Sequence, residues 1–250
     1  MQKKNNIIYG IHSVSEALDS GKDIDKVFIL KGIRSKSIDQ LMTLIRKKKI
    51  SVSYVPLEKL EHLAHEGNHQ GIAARISPVR FAGFDELLQK ALSDPSRPAL
   101  LLLLDGITDV RNFGAIIRTA SCAGVHGIVI AQGNSAPLNE VAVKTSAGAA
   151  FEVPVAKVSH LKDAAFALIG AGIELVAATE KAPINVFDAE LNKPLALIMG
   201  SEERGIQPSL LKLATTRVKL PVAGKVASLN VSVACGAVLY EIVRQRIKAS

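Results

Sequence analysis

Beyond residue 98 the chain repeats one unit, a short unbroken apolar run followed by a helical pattern. Ala99–Leu104, Val125–Ala131, Ile173–Thr179 and Leu195–Gly200 are such runs, and Arg217–Leu220 is a shorter one. A strand covered on both faces has no polar side, so it reads as a continuous apolar stretch rather than an alternation. Helical patterns lie between the runs near Gly114–Ala123, Leu138–Ser146, Leu161–Ala171 and Pro208–Leu213. Strand and helix in alternation predict an α/β domain over 99–250, with a parallel sheet covered by helices on both faces. Sheets of this kind bind ligands outside the carboxyl ends of their strands.

The first third follows a different rhythm. A short helix at Ser13–Asp19 precedes a strand at Lys26–Leu30. From about Ser37 an amphipathic helix sets Ile38, Leu41, Met42, Leu44 and Ile45 on one face. It closes on Arg46-Lys47-Lys48-Lys49, cations that suit a helix C-terminus and equally a phosphate backbone. Strands at Ser51–Val55 and Gly71–Ile76, with a short helix near Leu57–Ala64 between them, complete a small αβ domain over 1–76. Residues 77–98 contain Pro78, Pro95, Pro98 and Gly83 around a helical piece at Asp85–Leu92, and read as a linker.

Charge narrows the partner. The net charge is +8, with 14 Lys/Arg against 8 Asp/Glu in residues 1–80 and 17 against 15 in the remainder. A basic first third favours a polyanion. The chain contains no Trp, which removes the strongest stacking residue for bases. Cys122 and Cys235 both sit in apolar helical patterns and read as small buried hydrophobes of a reducing compartment. The N-terminus lacks a signal-peptide core and no apolar run nears the ~20 residues of a membrane span. The expectation is a cytoplasmic protein without a membrane partner.

Several chemistries are disfavoured by missing parts. No Gly-x-Gly-x-x-Gly follows the first parallel strand and no Gly-x-x-x-x-Gly-Lys-Ser/Thr occurs, which counts against nicotinamide chemistry and NTP hydrolysis. His65-Glu66-Gly67-Asn68-His69 spells the zinc-protease pattern, but that motif needs a helix to bring both imidazoles to one face. Gly67 and Asn68 favour a turn, so no metal is expected.

Three loops at predicted strand ends carry the polar chemistry. After the first strand, Asn112 stands where a helix N-cap belongs, Gly114 permits close backbone approach, and Arg118 falls at the edge of the buried helix face. After the fourth strand, Gly200-Ser-Glu202-Glu203-Arg204-Gly205 makes a tight polar loop, with Glu203 read as a surface residue. After the last strand, Leu220-Pro-Val-Ala-Gly-Lys-Val-Ala-Ser228-Leu229-Asn230 opens the final helix, with Ser228 and Asn230 as candidate caps.

Asn-x-Gly-x-x-x-Arg at 112–118, Gly-x-Glu-x-x-Gly at 200–205 and Leu-Pro-x-x-Gly-x-x-x-Ser-Leu-Asn-Val-Ser at 220–232 resemble, in order, the three signature motifs of the SpoU (TrmH) family. These are SPOUT-class RNA ribose 2′-O-methyltransferases that use S-adenosylmethionine. Ile8-Tyr9-Gly10-Ile11-His12-Ser13-Val14 and His69-Gln70-Gly71-Ile72-Ala73 are similar to the RNA-binding extension of the family's large-subunit rRNA guanosine enzymes. The resemblance implies a homodimer and a C-terminal domain tied in a deep trefoil knot, an exception to the rule that folds are unknotted. It implies cofactor contacts from Gly200, Leu220 and Leu229, with Ile198, Met199 and Ile206 beside them. It also implies that Arg118 is central to catalysis, with Asn112, Glu202, Ser228 and Asn230 positioning it, the ribose or the cofactor. An always-protonated guanidinium suits phosphate clamping and alkoxide stabilisation better than proton abstraction. Arg204 is a candidate RNA contact. The implied substrate is a guanosine of 23S rRNA. The alternatives are a tRNA substrate, or an RNA-binding ribosome-assembly protein without catalysis.

Overall fold

The computed structural model describes residues 6–65, 67–224 and 228–249. The chain divides into two compact units, one running to Arg80 and including Pro137–Asn139, the other comprising Phe81–Ala136 and everything from Glu140.

The first unit contains β1 (Ile7–Tyr9), α1 (Ile11–Asp19), β2 (Ile24–Leu30), α2 (Lys36–Lys47), β3 (Ser51–Val55), α3 (Leu57–Ala64) and β4 (Ile72–Ile76). Its sheet runs β1-β4-β2-β3; β2 and β3 are parallel, and β4 is antiparallel to β1 and β2. Alternation along β2 and β4 feeds two cores. Val27, Ile29, Ile72 and Ala74 pack with Val14, Leu18, Leu41 and Ile45 of α1 and α2, while Phe28 and Ala73 pack with Leu60 of α3. The sheet therefore lies between two helical layers. The strand β1, too short for periodicity to reveal, adds an edge.

The second unit begins inside the segment expected as a linker. From Phe81 on, that segment is packed: Ala82 bridges to Ala156, and α4 (Phe84–Leu92) buries Leu87, Leu88 and Ala91 in the core of the unit. The prolines bound a covering helix, and the break between units falls at Arg80–Phe81.

Next come β5 (Leu100–Asp105), α5 (Val110–Cys122), β6 (Gly127–Ala131), α6 (Glu140–Thr145), β7 (Val155–Val158), α7 (Leu161–Gly170), β8 (Glu174–Ala178) and β9 (Ile184–Asn185). After them follow β10 (Leu195–Gly200), α8 (Pro208–Leu211), β11 (Thr216–Lys219) and α9 (Val231–Ala249). All seven strands are parallel, in the order β7-β6-β5-β10-β8-β11-β9. The α/β parallel sheet expected from the apolar runs is thus present. Leu100–Leu104 are all buried on this sheet, at about 1.5–3 kcal/mol for each leucine removed from water.

Two late strands, β10 and β11, enter between neighbours laid down earlier in the chain. They flank β8, so the loops that follow β10, β8 and β11 open at one stretch of the carboxyl edge. No described helix is long and apolar enough to cross a membrane.

Local details correct the sequence reading. Asn112 is not the cap of α5. Asp109 is, its Oδ1 accepting from the Arg111 and Asn112 N–H groups at 2.9 and 2.7 Å, so the helix starts a turn earlier. Cys122 is exposed, since it falls in the last turn of α5 on the side away from Phe113, Ile116 and Ile117. Cys235 is buried, and that burial pushes its thiol up to about 12. The turn expected within 65–69 is partly visible: α3 stops at Ala64 and His65 takes a left-handed φ of 48°. Glu66 lies outside the described residues.

Candidate active site

Glu202 organises the carboxyl edge. Its loop is pinched shut by reciprocal backbone hydrogen bonds between Ser201 and Gly205, 3.2 and 2.9 Å. A Cβ on Gly200 would fall 2.2 Å from the Gly205 carbonyl carbon, so only glycine allows the pinch. Below the loop, the buried carboxylate of Asp105 at the end of β5 accepts from Gln207 N at 2.7 Å and Gln207 Nε2 at 2.9 Å. Sequence reading gave Asp105 no role, although an acid ending a wholly apolar strand is a visible signal.

Held this way, Glu202 Oε1 accepts three hydrogen bonds: from Asn112 Nδ2 at 3.2 Å, Asn230 Nδ2 at 2.8 Å and the Val231 N–H at 3.2 Å. Asn230 also donates to Asn112 Oδ1 at 3.0 Å, while its own Oδ1 accepts from the Ser232 N–H at 2.9 Å. Asn230 is therefore the true cap of α9. One residue from each of the three sequence motifs meets in this triangle, which joins positions 112, 202 and 230. Glu202 Oε2 receives no hydrogen bond from any described residue.

Two cavities meet at Glu202. The larger, about 430 Å³, is lined by Met199, Gly200, Ile206, Leu220 and Leu229 among others, five of the six residues expected to touch a cofactor. The sixth, Ile198, does not line it. Alternation along β10 turns Ile198 to the opposite sheet face, where it is fully buried with Leu101 and Leu103. Val218, Val238 and Leu211 add apolar wall, whereas Ser228, Thr179 and Glu180 add polar groups. The loop carrying Thr179 and Glu180 follows β8, and the carboxyl-end rule alone could have singled it out. Apolar walls with polar groups at the margins are the usual composition of a cofactor site.

The second cavity, about 340 Å³, is polar and is lined by Gly106, Thr108, Asp109, Asn112 and Asn134 on its far side. It shares Ser201, Glu202, Glu203, Arg204 and Val231 with the first. Glu203, read as a surface residue, is exposed and also faces both spaces.

Arg118 stands apart. It lies in the third turn of α5, exposed, in the lining of neither cavity, with no hydrogen bond or ion pair to any described residue. Gly114 brings α5 against α6, where a Cβ would lie 2.7 Å from Thr145 Cβ; the close approach is to protein, not to ligand. Among the described residues no cluster of His, Cys, Asp or Glu could hold a metal ion.

Both units of the chain match families of known proteins. Residues 7–82 match the substrate-binding domain of RNA 2′-O ribose methyltransferases, and residues 99–240 match the SpoU rRNA Methylase family. The fold and the two family matches define an RNA ribose methyltransferase of the SPOUT type. The chain belongs to the SpoU rRNA methylase family.

Among its relatives, the 23S rRNA (guanosine-2′-O-)-methyltransferase RlmB of Vibrio cholerae is 35% identical over 97% of this chain and 98% of that protein. YacO of Bacillus subtilis, named for the TrmH family of tRNA/rRNA methyltransferases, is 34% identical over 98% of each. The crystal structure of the SpoU methyltransferase AviRb from Streptomyces viridochromogenes, in complex with AdoMet, aligns with a TM-score of 0.61 and 27% identity. That alignment covers 97% of this chain and 90% of AviRb.

Proposed function

We propose that this protein methylates the ribose 2′-hydroxyl of a guanosine in 23S ribosomal RNA, with S-adenosylmethionine as methyl donor. The observation that carries the reading is the meeting of two cavities at Glu202, since methyl transfer needs a donor and an acceptor that share one wall. The apolar cavity fits the cofactor. Its backbone groups at Gly200, Leu220 and Leu229 can pair with adenine edges, and its aliphatic walls exclude water. S-adenosylmethionine supplies an electrophilic methyl on a sulfonium.

The chain's own residues do the rest. Asn112 and Asn230 fix Glu202 by occupying Oε1, which leaves Oε2 to accept a hydrogen bond from the acceptor hydroxyl and align it. Ser228, at the cofactor cavity, orients the ribose or the cofactor. Arg118, always cationic and outside both cavities of its own chain, would clamp the phosphate beside the target ribose and stabilise the developing alkoxide from the second copy of the homodimer.

The reading includes the trefoil knot, supported by the insertion of β10 and β11. It also includes a homodimer. Val233, Tyr240 and Ile247, exposed at seven-residue intervals along α9, offer one apolar helix face to a second copy. The 23S rRNA substrate is favoured by the N-terminal unit and by the RlmB relatives; tRNA is the competing substrate, favoured by the YacO-type names.

Mapping 2′-O-methylated nucleotides in RNA from a strain deleted for this gene separates these readings. Loss of one guanosine methylation in 23S rRNA is expected; loss from tRNA alone, or from no RNA, overturns the proposal.

A further inference from the structure

Two N-terminal motifs take no part in the site just described. Tyr9-Gly10-Ile11-His12 and His69-Gln70-Gly71 lie about sixty residues apart, yet the fold locks them together at the end of the first sheet where β1, β2 and β3 finish and β4 begins. Gln70 Oε1 accepts from the Ile11 N–H at 3.0 Å, and the Gly10 N–H donates to Ile72 O at 3.0 Å. The Lys31–Ser35 loop joins them. Leu30 N donates to Gly71 O at 2.9 Å, and Ile33 sits where any Cβ on Gly71 would be, 2.0 Å from its Cδ1. Gln70, with φ 49°, is a non-glycine residue held in the left-handed region. Such strain persists only where the surroundings over-determine it, and it concentrates at functional surfaces.

What this end presents is specific. His12, Lys31, Arg34 and Lys36 are exposed, and their side chains make no hydrogen bond or ion pair with any described residue. The loops at 10–12, 31–36 and 65–71 together hold Lys31, Arg34 and Lys36 against one acid, Glu66. The opposite end of the sheet also holds lysines, Lys47–Lys49, but there Lys49 and Asp23 are engaged, and Asp19 adds an opposing charge. Tyr9 supplies the remaining element. The residue is 38% exposed, and its ring lies against the Gly67 backbone so closely that a Cβ there would fall 2.6 Å from ring atoms. A backed, partly open aromatic ring is a stacking surface for an unpaired base.

We infer that this loop cluster is the RNA-docking face of the N-terminal unit, taking an unpaired nucleotide of folded RNA on Tyr9 and its flanking phosphates on Lys31, Arg34 and Lys36. The inference rests on the reading that the substrate is RNA. Cations alone would equally attract an acidic peptide. The stacking ring beside an excess of exposed cations favours a chain of bases and phosphates.

The test is filter binding of the full-length protein to an unmodified 23S rRNA transcript over a range of salt, with calorimetric titration of S-adenosylmethionine in parallel. The Lys31→Ala/Arg34→Ala pair is expected to raise the RNA Kd about tenfold or more and to lower the salt slope by about 2, for two lost phosphate contacts. Tyr9→Ala is expected to raise Kd roughly fivefold or more, with Tyr9→Phe restoring it. Cofactor affinity stays unchanged in every variant. If a Lys47→Ala/Lys48→Ala pair weakens RNA binding and the Lys31/Arg34 pair does not, the docking face is wrong while the RNA substrate stands. If Tyr9→Phe binds as poorly as Tyr9→Ala, the stacking contact is wrong. If the wild-type protein binds cofactor but no RNA, the substrate reading itself falls.

Discussion

At the carboxyl ends of β5 and β10, Glu202 takes three hydrogen bonds on one oxygen and leaves the other open to an exposed pair of cavities. At the amino ends of the same strands a second polar network is nearly filled, with Arg246 Nε the one buried side-chain atom of the described residues that lacks a hydrogen bond. His126 Nδ1 accepts from the Leu100 N–H at 3.0 Å, so its ring proton sits on Nε2 and faces Asp94 Oδ2 at 3.0 Å. Arg246, near the end of α9, donates to the carbonyls of Pro98, Ala99 and Lys193 at 2.8, 3.1 and 2.9 Å. Burial and the neighbouring Arg97 pull its guanidinium down to about 10. The same helix is thus capped at the open network and pinned at the nearly filled one. Saturated polar groups hold the fold; polar groups with capacity to spare have something left to bind.

That contrast breaks most visibly at Glu202. Glu202→Gln should cut single-turnover methyl transfer about 10²-fold, because the triangle loses the charge that aligns it, while the melting temperature stays near that of wild type. An unchanged rate would remove Glu202 from the site. Arg118→Lys keeps a cation without the planar fork, and should lose roughly tenfold or more in turnover with cofactor affinity intact. Near-full methylation by this variant would end the role given to Arg118.

The amino end should answer oppositely. His126→Ala strands the buried Leu100 N–H and should cost about 1–3 kcal/mol in denaturant unfolding, with the rate per folded molecule unchanged. A variant of normal stability but low rate would reverse the assignment of the two ends.

A smaller effect is expected from acid. Ser96, through its hydroxyl and its N–H, and then His126 and Arg97 hold the Asp94 carboxyl well below the usual carboxylate range. A carboxyl depressed in the folded state contributes its stability above its unfolded value of about 4, and that contribution is lost as the pH falls. Melting temperatures measured from neutral pH to below about 4 should therefore drop less steeply for Asp94→Asn than for wild type; parallel curves would show that Asp94 contributes nothing.

The smallest test is thiol counting. One equivalent of thiol reagent should label native protein at exposed Cys122, with Cys235 reacting only after unfolding.

Much of this was legible in the sequence, for identifiable reasons. The long apolar runs gave the central strands, because burial on both faces leaves no alternative pattern. Positions 112, 202 and 230 were marked by residue type and by strand-end position. The edge strands β1, β7 and β9 escaped because two to four residues carry no period. The linker misled because prolines mark the ends of a packed helix as readily as a hinge. Ile198 was set beside Met199 although neighbours on a strand point to opposite faces. Asn112 and Asp109 are equally good caps on paper, and only the fold shows that Asp109 captures two N–H groups, which frees Asn112 for Glu202. Arg118 was grouped with residues that it does not meet within the chain.

The central claim is that the cavities on either side of Glu202 bring a methyl donor to an RNA ribose. Its most direct test uses purified protein, S-adenosylmethionine tritiated on the methyl group, and unmodified 23S rRNA and tRNA transcripts, with the labelled RNA digested to nucleosides. Label in 2′-O-methylguanosine from 23S rRNA, near one methyl per molecule, is the predicted result. Label on a base, label only in tRNA, or no transfer by protein that binds the cofactor would contradict the account.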